Sequence, residues 1–336
     1  MLTIFSISRF LKFCSLFAQS SSLLKINVRS VIEMNLATLS RKTNYLIVFR
    51  DLLAGFCLLF LPFAASRSLA SFSLYLNIVF VMFFSIWFGT WIHYLSTFFH
   101  EAAHDNLAPK VWNDFLANYL IGPFVGLDII SYKRSHALHH KNLGTLQDTE
   151  ISYYNSLDLR FISESFLLLK VFKYFYGKNQ GYRSNSYRNS IAAIRSIIFI
   201  ILTACAIFIC SGVILSVSWL AGLLLISPGI SSTRQLLEHR PLSVPRKVNL
   251  ATLLNQNQHC SENLYAITRN FGHGLIARIL GGAGLNYHEL HHLYPSISYT
   301  NFIKLNKLLR KRDSFAYDAN LKKSTYGNVL FRFICL

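Results

Sequence analysis

The chain has 336 residues, of which 52% are hydrophobic and only 14% are charged, and its formal net charge is +18. Since about a quarter of the residues in a soluble domain are charged, this composition argues against a soluble protein and favours one embedded in a membrane. A basic chain can bind nucleic acid, but it can also place cationic loops against an anionic membrane leaflet. The apolar segments favour the membrane, so no nucleic-acid partner is expected.

Residues 1–44 are predicted to be an N-terminal extension, and residues 45–336 a single membrane domain. The first 32 residues contain no acidic side chain, are rich in serine and carry four scattered cations. This composition is typical of an organellar targeting presequence. We favour the alternative that translation starts at Met34 and that the preceding residues are spurious or a disordered tail.

Four segments are apolar and long enough to cross a bilayer, residues 45–65, 71–99, 191–210 and 213–230. Each is close to the roughly 20 residues that a spanning helix needs. Short connections join them in pairs, so the sequence predicts an all-α integral membrane protein with four transmembrane helices in two hairpins. Lysine and arginine concentrate in the N-terminal segment and in the two long loops. The positive-inside rule therefore places these parts, and any site they carry, on the cytoplasmic face.

Three shorter apolar stretches are interrupted by charges, glycines or asparagines, residues 112–130, 161–175 and 271–285. Interruptions of this kind are typical of helices that lie at the membrane surface rather than across it. We expect interfacial or half-buried helices there. The protein is then a multi-pass protein of a bacterial inner membrane, or of the endoplasmic reticulum or another organelle.

Eight of the twelve histidines fall in three tight motifs, HEAAH (His100, His104), HALHH (His136, His139, His140) and HELHH (His288, His291, His292). Spacings of three and four residues place side chains on one face of a helix. Each motif can therefore direct two or three imidazoles to one point. All three motifs follow predicted spans on the same side of the membrane, so they can converge just outside the hydrocarbon core.

Eight imidazoles exceed the needs of one zinc ion, which takes three or four protein ligands. They suit two first-row metal ions, and imidazole binds iron, copper and zinc alike. We favour two iron ions that react with dioxygen. HEAAH alone also matches the zinc-protease motif H-E-x-x-H, for which Asp128 is a candidate third ligand. That reading leaves six clustered histidines without a role.

The motifs resemble those of the membrane fatty-acid desaturase superfamily, the histidine-box diiron desaturases and hydroxylases. The matching stretches are HEAAHDNL (100–107), RSHALHHKNLGTLQDTE (134–150), EHR (238–240) and NYHELHHLYPSISY (286–299). The resemblance implies a four-helix stem under a cytoplasmic helical cap, with the eight motif histidines bound to two irons. The family often adds one more histidine between the second and third motifs. His239 in EHR matches that position better than His273, which remains the alternative.

Polar side chains near the motifs are candidates for orienting the metal ligands through their second ring nitrogen. The candidates are Glu101, Asp105, Asp148, Glu150, Glu238, Asn286 and Glu289. For each carboxylate, an ordinary solvated group is an equally good interpretation. His93 lies seven residues before His100 on nearly the same helical face. It could support the site, but a packed, hydrogen-bonded histidine is the commoner case.

The resemblance implies an oxidoreductase that uses O2 and two iron ions to introduce a double bond into a fatty-acyl chain. The alternative is a hydroxylase acting on a carotenoid, sterol or sphingolipid, because both outcomes share one oxidant. Remote alternatives are a non-catalytic membrane protein and an intramembrane zinc protease. The sequence contains no haem-binding HPGG segment of the cytochrome b5 kind. A separate electron donor of the ferredoxin or cytochrome b5 type is therefore expected, together with a lipid substrate.

Overall fold

The computed structural model describes residues 43–64, 73–154, 156, 158–166, 186–241, 248, 250, 268–312 and 325–335. Within these residues there is no β-strand, and the only β-type pairing is one isolated bridge between Asn270 and Tyr287. The prediction of an all-α protein is therefore confirmed for this part of the chain. Nearly all of the predicted N-terminal extension lies outside the described residues.

The described residues form the following α-helices: α1 (Tyr45–Ala64), α2 (Leu74–Ala103), α3 (Lys110–Leu116), α4 (Gly122–Val125), α5 (Ile129–Asn142), α6 (Leu159–Phe166), α7 (Ser186–Ala221), α8 (Ser227–His239), α9 (Leu275–Leu280), α10 (His288–Leu293), α11 (Phe302–Arg312) and α12 (Tyr326–Cys335). Two π-helical turns join successive helices, Ala117–Ile121 and Gly222–Ile226. Two 3-10 turns precede α6 and α11, Ile151–Tyr154 and Tyr299–Asn301.

Three helical stretches among the described residues are long and apolar enough to span a membrane, namely Tyr45–Ala64, Leu74–Ala103 and Ile194–His239. A fourth span is possible if Lys110–Val125 and Ile129–Asn142, which meet at a bend of 92°, are counted as one. The stretch Ile194–His239 has 46 residues. A straight helix of that length would extend about 69 Å, more than twice the thickness of the hydrocarbon core.

The chain reverses direction inside this long apolar stretch, at Gly212. Its backbone is non-helical there, with φ 84° and ψ −178°. The hydroxyl of Ser216 donates to the carbonyl oxygen of Ala204 at 3.0 Å. Residues twelve apart in a continuous helix would be separated by about 18 Å. The two arms therefore lie side by side, and the reversal falls at the Ser-Gly turn that the sequence predicts between residues 210 and 213.

Replacing Gly212 by alanine is expected to destabilise this reversal. A Cβ atom at Gly212 would meet no other atom within 4 Å, so the cost comes from the backbone conformation alone. Residues other than glycine are strained by about 1–3 kcal/mol in this region of φ and ψ. We expect the free energy of unfolding in detergent to fall by about that amount. Gly274 is the matched control, because its site is equally open and its φ is −58°. An equal loss in Gly274→Ala would contradict this explanation.

Helix α2 is the central element of the apolar core. Its buried side chains, among them Phe88, Leu95 and Phe98, pack with Trp219 and Leu223 from the second arm of the reversal. The two helices approach closely enough that a Cβ on Gly222 would lie 2.7 Å from a backbone nitrogen of α2. Many large apolar side chains of α1, α2 and α7 are exposed on the outer surface. An apolar surface of this extent is unusual for a soluble protein and suits a lipid environment.

Helix α2 also positions the polar end of the molecule. Its N-terminus begins at Ser73, whose hydroxyl accepts a hydrogen bond from the backbone N–H of Leu76. Its 30 residues extend about 45 Å, which exceeds the roughly 30 Å of a hydrocarbon core. This length leaves room for one end of α2 beyond a hydrocarbon core. His100 lies in the last turn of α2, where the shorter helices assemble around it.

Candidate metal centre

The first histidine motif lies at the point where α2 stops. His100 is in the last turn, and His104 is the residue that ends the helix. Asp105 follows with φ 58°, a left-handed conformation that turns the chain away from the helix axis. The buried amide of Asn113 fixes this end, because it donates to the carbonyl of Ala102 at 2.8 Å and accepts from the N–H of Leu107 at 3.1 Å. The two imidazoles are thereby held one turn apart on a rigid element.

The second motif occupies the last turns of α5. This helix begins where the Asp128 carboxylate accepts a hydrogen bond from the backbone N–H of Ser131 at 3.0 Å. Aspartate is one of the residues preferred at the position that caps the N-terminus of a helix. His136 and His139 of this motif are buried, and the ring of His136 packs against those of His100 and His104 at the end of α2. Asp128, the candidate third zinc ligand, instead starts this helix and pairs with Arg195.

The third motif forms the short helix α10, and His239 is the last residue of α8. A six-residue helix is not stable by itself, so other parts of the chain must hold α10 in place. The N–H of Glu289 donates to the side-chain oxygen of Asn270 at 3.2 Å, and the amide of Asn270 donates back to the Glu289 carboxylate at 2.9 Å. These reciprocal bonds anchor the first turn of α10.

Nine histidines from four segments converge in two adjoining groups. The first group contains five imidazoles, those of His100, His104, His136, His140 and His291. The second contains four, those of His139, His239, His288 and His292. Within each group, one nitrogen from every ring lies within 4.8 Å of the others. The groups touch, since the ring centroids of His140 and His292 are 4.4 Å apart.

The spacing of the ring nitrogens fits a shared metal ion. In the first group, the Nε2 atom of His140 lies 3.0 Å from that of His136 and 2.9 Å from that of His291. In the second, the Nε2 atoms of His239 and His288 are 2.8 Å apart. Imidazole nitrogens bind a first-row ion at about 2.0–2.1 Å, so two neighbouring ligands at a right angle lie about 2.9 Å from each other.

Several ring nitrogens in the two groups are buried without a hydrogen-bond partner among the described residues. They include both nitrogens of His100 and the Nε2 atom of His139. A buried polar atom without a partner costs about 1–3 kcal/mol. A metal ion at the centre of each group would bind one nitrogen of each ring and remove that cost for the bound nitrogen, so the residues present fit a pair of metal ions.

The histidines of the third motif are held in the form that binds metal. Burial, followed by the neighbouring imidazoles, lowers the pKa of His291 and His292 well below the usual value. Their rings are therefore neutral at physiological pH, with a lone pair free to coordinate. Binding of a metal ion then requires no loss of a proton from these two rings.

Three of the predicted supporting carboxylates lie beside the Nδ1 atoms of grouped histidines, and two of them are within hydrogen-bond distance. Asp148 lies 2.8 Å from the Nδ1 of His139, and Glu150 lies 3.1 Å from the Nδ1 of His136. The Glu238 carboxylate is 3.6 Å from the Nδ1 of His288, which is longer than a hydrogen bond. Carboxylates in this position fix the ring orientation and leave Nε2 directed inward.

The other predicted supporting residues have different contacts. Glu101 accepts from the backbone N–H of Tyr299 at 3.3 Å, and Asp105 pairs with Lys133 at 2.5 Å. Glu289 is held by Asn270, as described above, and burial raises its pKa to about 7. Asn286 donates to the carbonyl of Gly272 at 2.6 Å. In the contacts described, none of these four side chains is bonded to a ring of the two groups.

The structure separates the two candidates for the ninth position. His239 is fully buried and belongs to the second group. His273 instead has an exposed ring that belongs to neither group. The Nε2 atom of His273 lies 2.5 Å from the hydroxyl oxygen of Tyr287. His93 also lies outside both groups, where it is buried and hydrogen-bonded.

Sequence reasoning missed the side chains that hold the carboxylates. Arg234 donates to both oxygens of Glu238 at 2.8 and 2.7 Å, and Gln235 donates to Glu150 at 2.7 Å. The hydroxyl of Tyr153 donates to Asp148 at 2.5 Å. The spacing of Arg234 and Glu238, four residues apart in a helix that follows an apolar span, is the signal that could have indicated this pair.

Replacing Asp148 by asparagine is expected to weaken metal binding without unfolding the protein. The amide keeps the size of the carboxylate but withdraws its charge from His139 and changes its hydrogen bonds with Tyr153. Loss of such an outer partner typically reduces metal affinity about 10–100-fold. Competition with a chelator, followed by metal analysis, measures the change. Asp158→Asn is the control for the loss of one carboxylate charge. The Asp158 carboxylate accepts a hydrogen bond from the backbone N–H of Phe161 and caps the start of α6. Equal affinity in Asp148→Asn and wild type would contradict the expectation.

Comparison with known proteins agrees with this geometry. A family model described as fatty acid desaturase matches residues 77–322. That range includes all three histidine motifs and His239. A search of curated proteins finds no match.

Proposed function

Because the chain belongs to the fatty acid desaturase family, we propose that it uses dioxygen and two iron ions to introduce a double bond into a fatty-acyl chain. Membership of the family implies that the protein is a membrane-embedded oxidoreductase and that its substrate is a lipid. The observation that carries the more specific proposal is the convergence of nine histidines in two adjoining groups.

We propose four membrane spans in two hairpins, with the N-terminal segment and both long loops on the cytoplasmic face. The reversal at Gly212 supports a second hairpin, because the two arms that meet there are each apolar and lie side by side. The bent pair Lys110–Val125 and Ile129–Asn142 then lies at the membrane surface. Its second helix brings three histidines to the polar end of α2.

We propose that the nine grouped histidines are the metal ligands, five for one ion and four for the other. Two iron ions held there would supply the oxidising power to remove hydrogen from an unactivated methylene group by reacting with O2. Asp148 and Glu150 orient His139 and His136. The hydroxyl of Tyr153 holds Asp148 in turn, and Gln235 holds Glu150. Burial of the rings excludes water from the ligand atoms, and it lowers the pKa of His291 and His292 so that these two imidazoles stay neutral.

Apolar surroundings support a lipid substrate. The outer faces of α1, α2 and α7 expose large hydrophobic side chains. An apolar cavity of about 690 Å³ lies between α1, α7, and α4 with the π-helical turn that precedes it. Its lining includes Phe60, Phe124 and Phe199. Such surfaces accept hydrocarbon chains and disfavour charged substrates.

We also propose a separate electron donor of the ferredoxin or cytochrome b5 type. Complete reduction of dioxygen to water needs more electrons than the removal of two hydrogens from a chain provides. The remainder must come from an external reductant, because histidine, aspartate and glutamate side chains do not store electrons. The whole chain has a net charge of +18, and its basic loops favour a donor with an acidic surface.

Expression in a heterologous cell, followed by mass spectrometry of total fatty acids and isoprenoid lipids, tests the proposal. The matched control is His139→Ala, which removes one grouped histidine. New double bonds that depend on His139 support desaturation. Added oxygen would instead assign a hydroxylase acting on a carotenoid, sterol or sphingolipid. Unchanged lipids together with the absence of iron in the purified protein would favour a non-catalytic membrane protein.

A further inference from the structure

A second polar stripe runs along α2 beside the metal-site histidines. It consists of His93, Thr97 and Glu101, spaced four residues apart, and we call these three residues the α2 dock. Each is 1% exposed. Polar side chains this deeply buried need hydrogen-bond partners. The partners lie in the segment that carries the third histidine motif.

His93 contacts the chain ahead of that motif. Its Nε2 lies 2.9 Å from the carbonyl oxygen of Leu280, and its Nδ1 lies 2.9 Å from the hydroxyl of Ser231. A carbonyl can only accept, so Nε2 carries the proton and Nδ1 accepts from the hydroxyl. Ser231 belongs to α8, the helix that ends at His239. One imidazole thus joins α2, α8 and the end of α9.

Thr97 contacts the tight turn that follows α9. Its hydroxyl oxygen accepts a hydrogen bond from the N–H of Ala283 at 2.8 Å and donates to the carbonyl of Tyr94 at 2.6 Å. The turn packs so closely that a Cβ on Gly282 would lie 1.9 Å from this hydroxyl. Only a chain without a side chain at position 282 can approach α2 to this distance.

Glu101 contacts the chain beyond the motif. One oxygen of its buried carboxylate accepts from the N–H of Tyr299 at 3.3 Å. The hydroxyl of Tyr299 extends the link by donating to Asp51 of α1 at 3.1 Å. The dock therefore holds the third-motif segment on both sides of α10, at Ala283 before it and at Tyr299 after it.

Apolar packing alone leaves the position of α10 relative to α2 weakly fixed. The third-motif segment has its own apolar cluster, built from Tyr287, Leu290, Ile297, Phe302 and Leu305. The α2 cluster includes Ala283 and has Tyr299 packed against it, and Tyr299 also packs on the third-motif cluster. The two clusters thus meet at Tyr299, whose backbone N–H bonds to Glu101, while the N–H of Ala283 in the α2 cluster bonds to Thr97. Hydrogen bonds are directional, so they define a register that apolar contacts do not.

We propose that the α2 dock positions α10 and thereby sets the geometry of both metal groups at once. This inference rests on the proposed role of the grouped histidines as ligands. Helix α10 supplies His291 to the first group, and His288 and His292 to the second. A displacement of this one short helix therefore disturbs both groups together. The three dock residues are positioning residues, because none of them belongs to either group.

Thr97→Val tests the proposal in the full-length protein. Valine keeps the shape of threonine but removes the acceptor for the buried N–H of Ala283. Thr97→Ser keeps the hydroxyl, so its iron content and amide hydrogen exchange should match those of the wild type. Ser96→Ala is the matched control, because among the described residues the hydroxyl of Ser96 bonds only within α2, to the carbonyl of His93. In each variant we would measure iron per chain and amide hydrogen exchange of residues 285–299, both as purified and after chelation.

In Thr97→Val we expect exchange in residues 285–299 to be about tenfold faster than in wild type, as for the loss of one buried hydrogen bond. Iron per chain should fall at least about twofold, with losses from both groups. Thr97→Ser and Ser96→Ala should match wild type. Wild-type exchange in Thr97→Val, or equal acceleration in Ser96→Ala, would overturn the dock. If wild type binds no iron, the proposed function fails, whereas faster exchange confined to Thr97→Val still supports the dock.

Discussion

Replacing His239 by alanine is expected to abolish the lipid product, whereas replacing His273 by alanine leaves it unchanged. His239 is one of only four imidazoles in the second group, and its Nε2 lies 2.8 Å from that of His288. Its removal leaves three ligands and an opening at a buried site. Loss of residues that merely support a ligand reduces metal affinity about 10–100-fold, so loss of a ligand should exceed about 100-fold.

Metal analysis and lipid mass spectrometry of the two variants check this expectation. His239→Ala should retain at most one tightly bound ion per chain, because the five imidazoles of the first group remain. His273→Ala should retain both ions, since its exposed ring lies beside Tyr287 and outside both groups. If His273→Ala lost the product and His239→Ala did not, the assignment of the ninth ligand would be reversed.

Replacing Glu238 by alanine is expected to be strongly destabilising. Arg234 donates two hydrogen bonds to Glu238, and Tyr326 donates a third at 2.9 Å. Arg234 is 10% exposed and Glu238 is fully buried. Removal of one partner of a buried ion pair leaves the other charge uncompensated, which typically costs about 3–5 kcal/mol. The free energy of unfolding in detergent should decrease by about that amount.

A double variant separates stability from metal binding at this pair. Arg234→Met combined with Glu238→Met removes both charges and should recover most of the lost stability, because apolar replacements of a buried pair are often tolerated. Metal affinity should stay low, since the carboxylate beside His288 is gone. Glu164→Ala is the matched control, because Arg160 and Glu164 have the same four-residue spacing and Arg160 is 83% exposed. We expect no measurable loss there. A stable Glu238→Ala variant would show that the pair contributes little.

The helical spacing within each motif anticipates part of the division into two groups. Residues four apart are separated by about 40° around a helix, and residues three apart by about 60° in the opposite sense. The pairs four apart stay together in all three motifs, as His100 and His104 do. The third histidine of each three-membered motif, His139 or His291, joins the opposite group. Each of these motifs therefore contributes to both groups.

The division itself was not predicted, because it depends on how four helices are oriented toward one another. Sequence spacing gives the relative directions of side chains on one helix only. The choice of His239 over His273 required the same information, since the motif EHR favours His239 but does not fix its distance from the other histidines. The turn at Gly212, in contrast, follows from a local signal, a Ser-Gly pair between two apolar runs.

The sequence by itself determined the helical class, the apolar segments and the identity of the clustered histidines. These features depend on composition and on short-range periodicity, which a single segment carries in full. Only the tertiary structure decided which imidazoles meet, which carboxylates contact them and how Arg234, Gln235 and the α2 dock hold the arrangement. Those contacts join residues far apart in the chain, such as Thr97 and Ala283. Their distances are set by the packing of whole helices, which no local pattern of residues encodes.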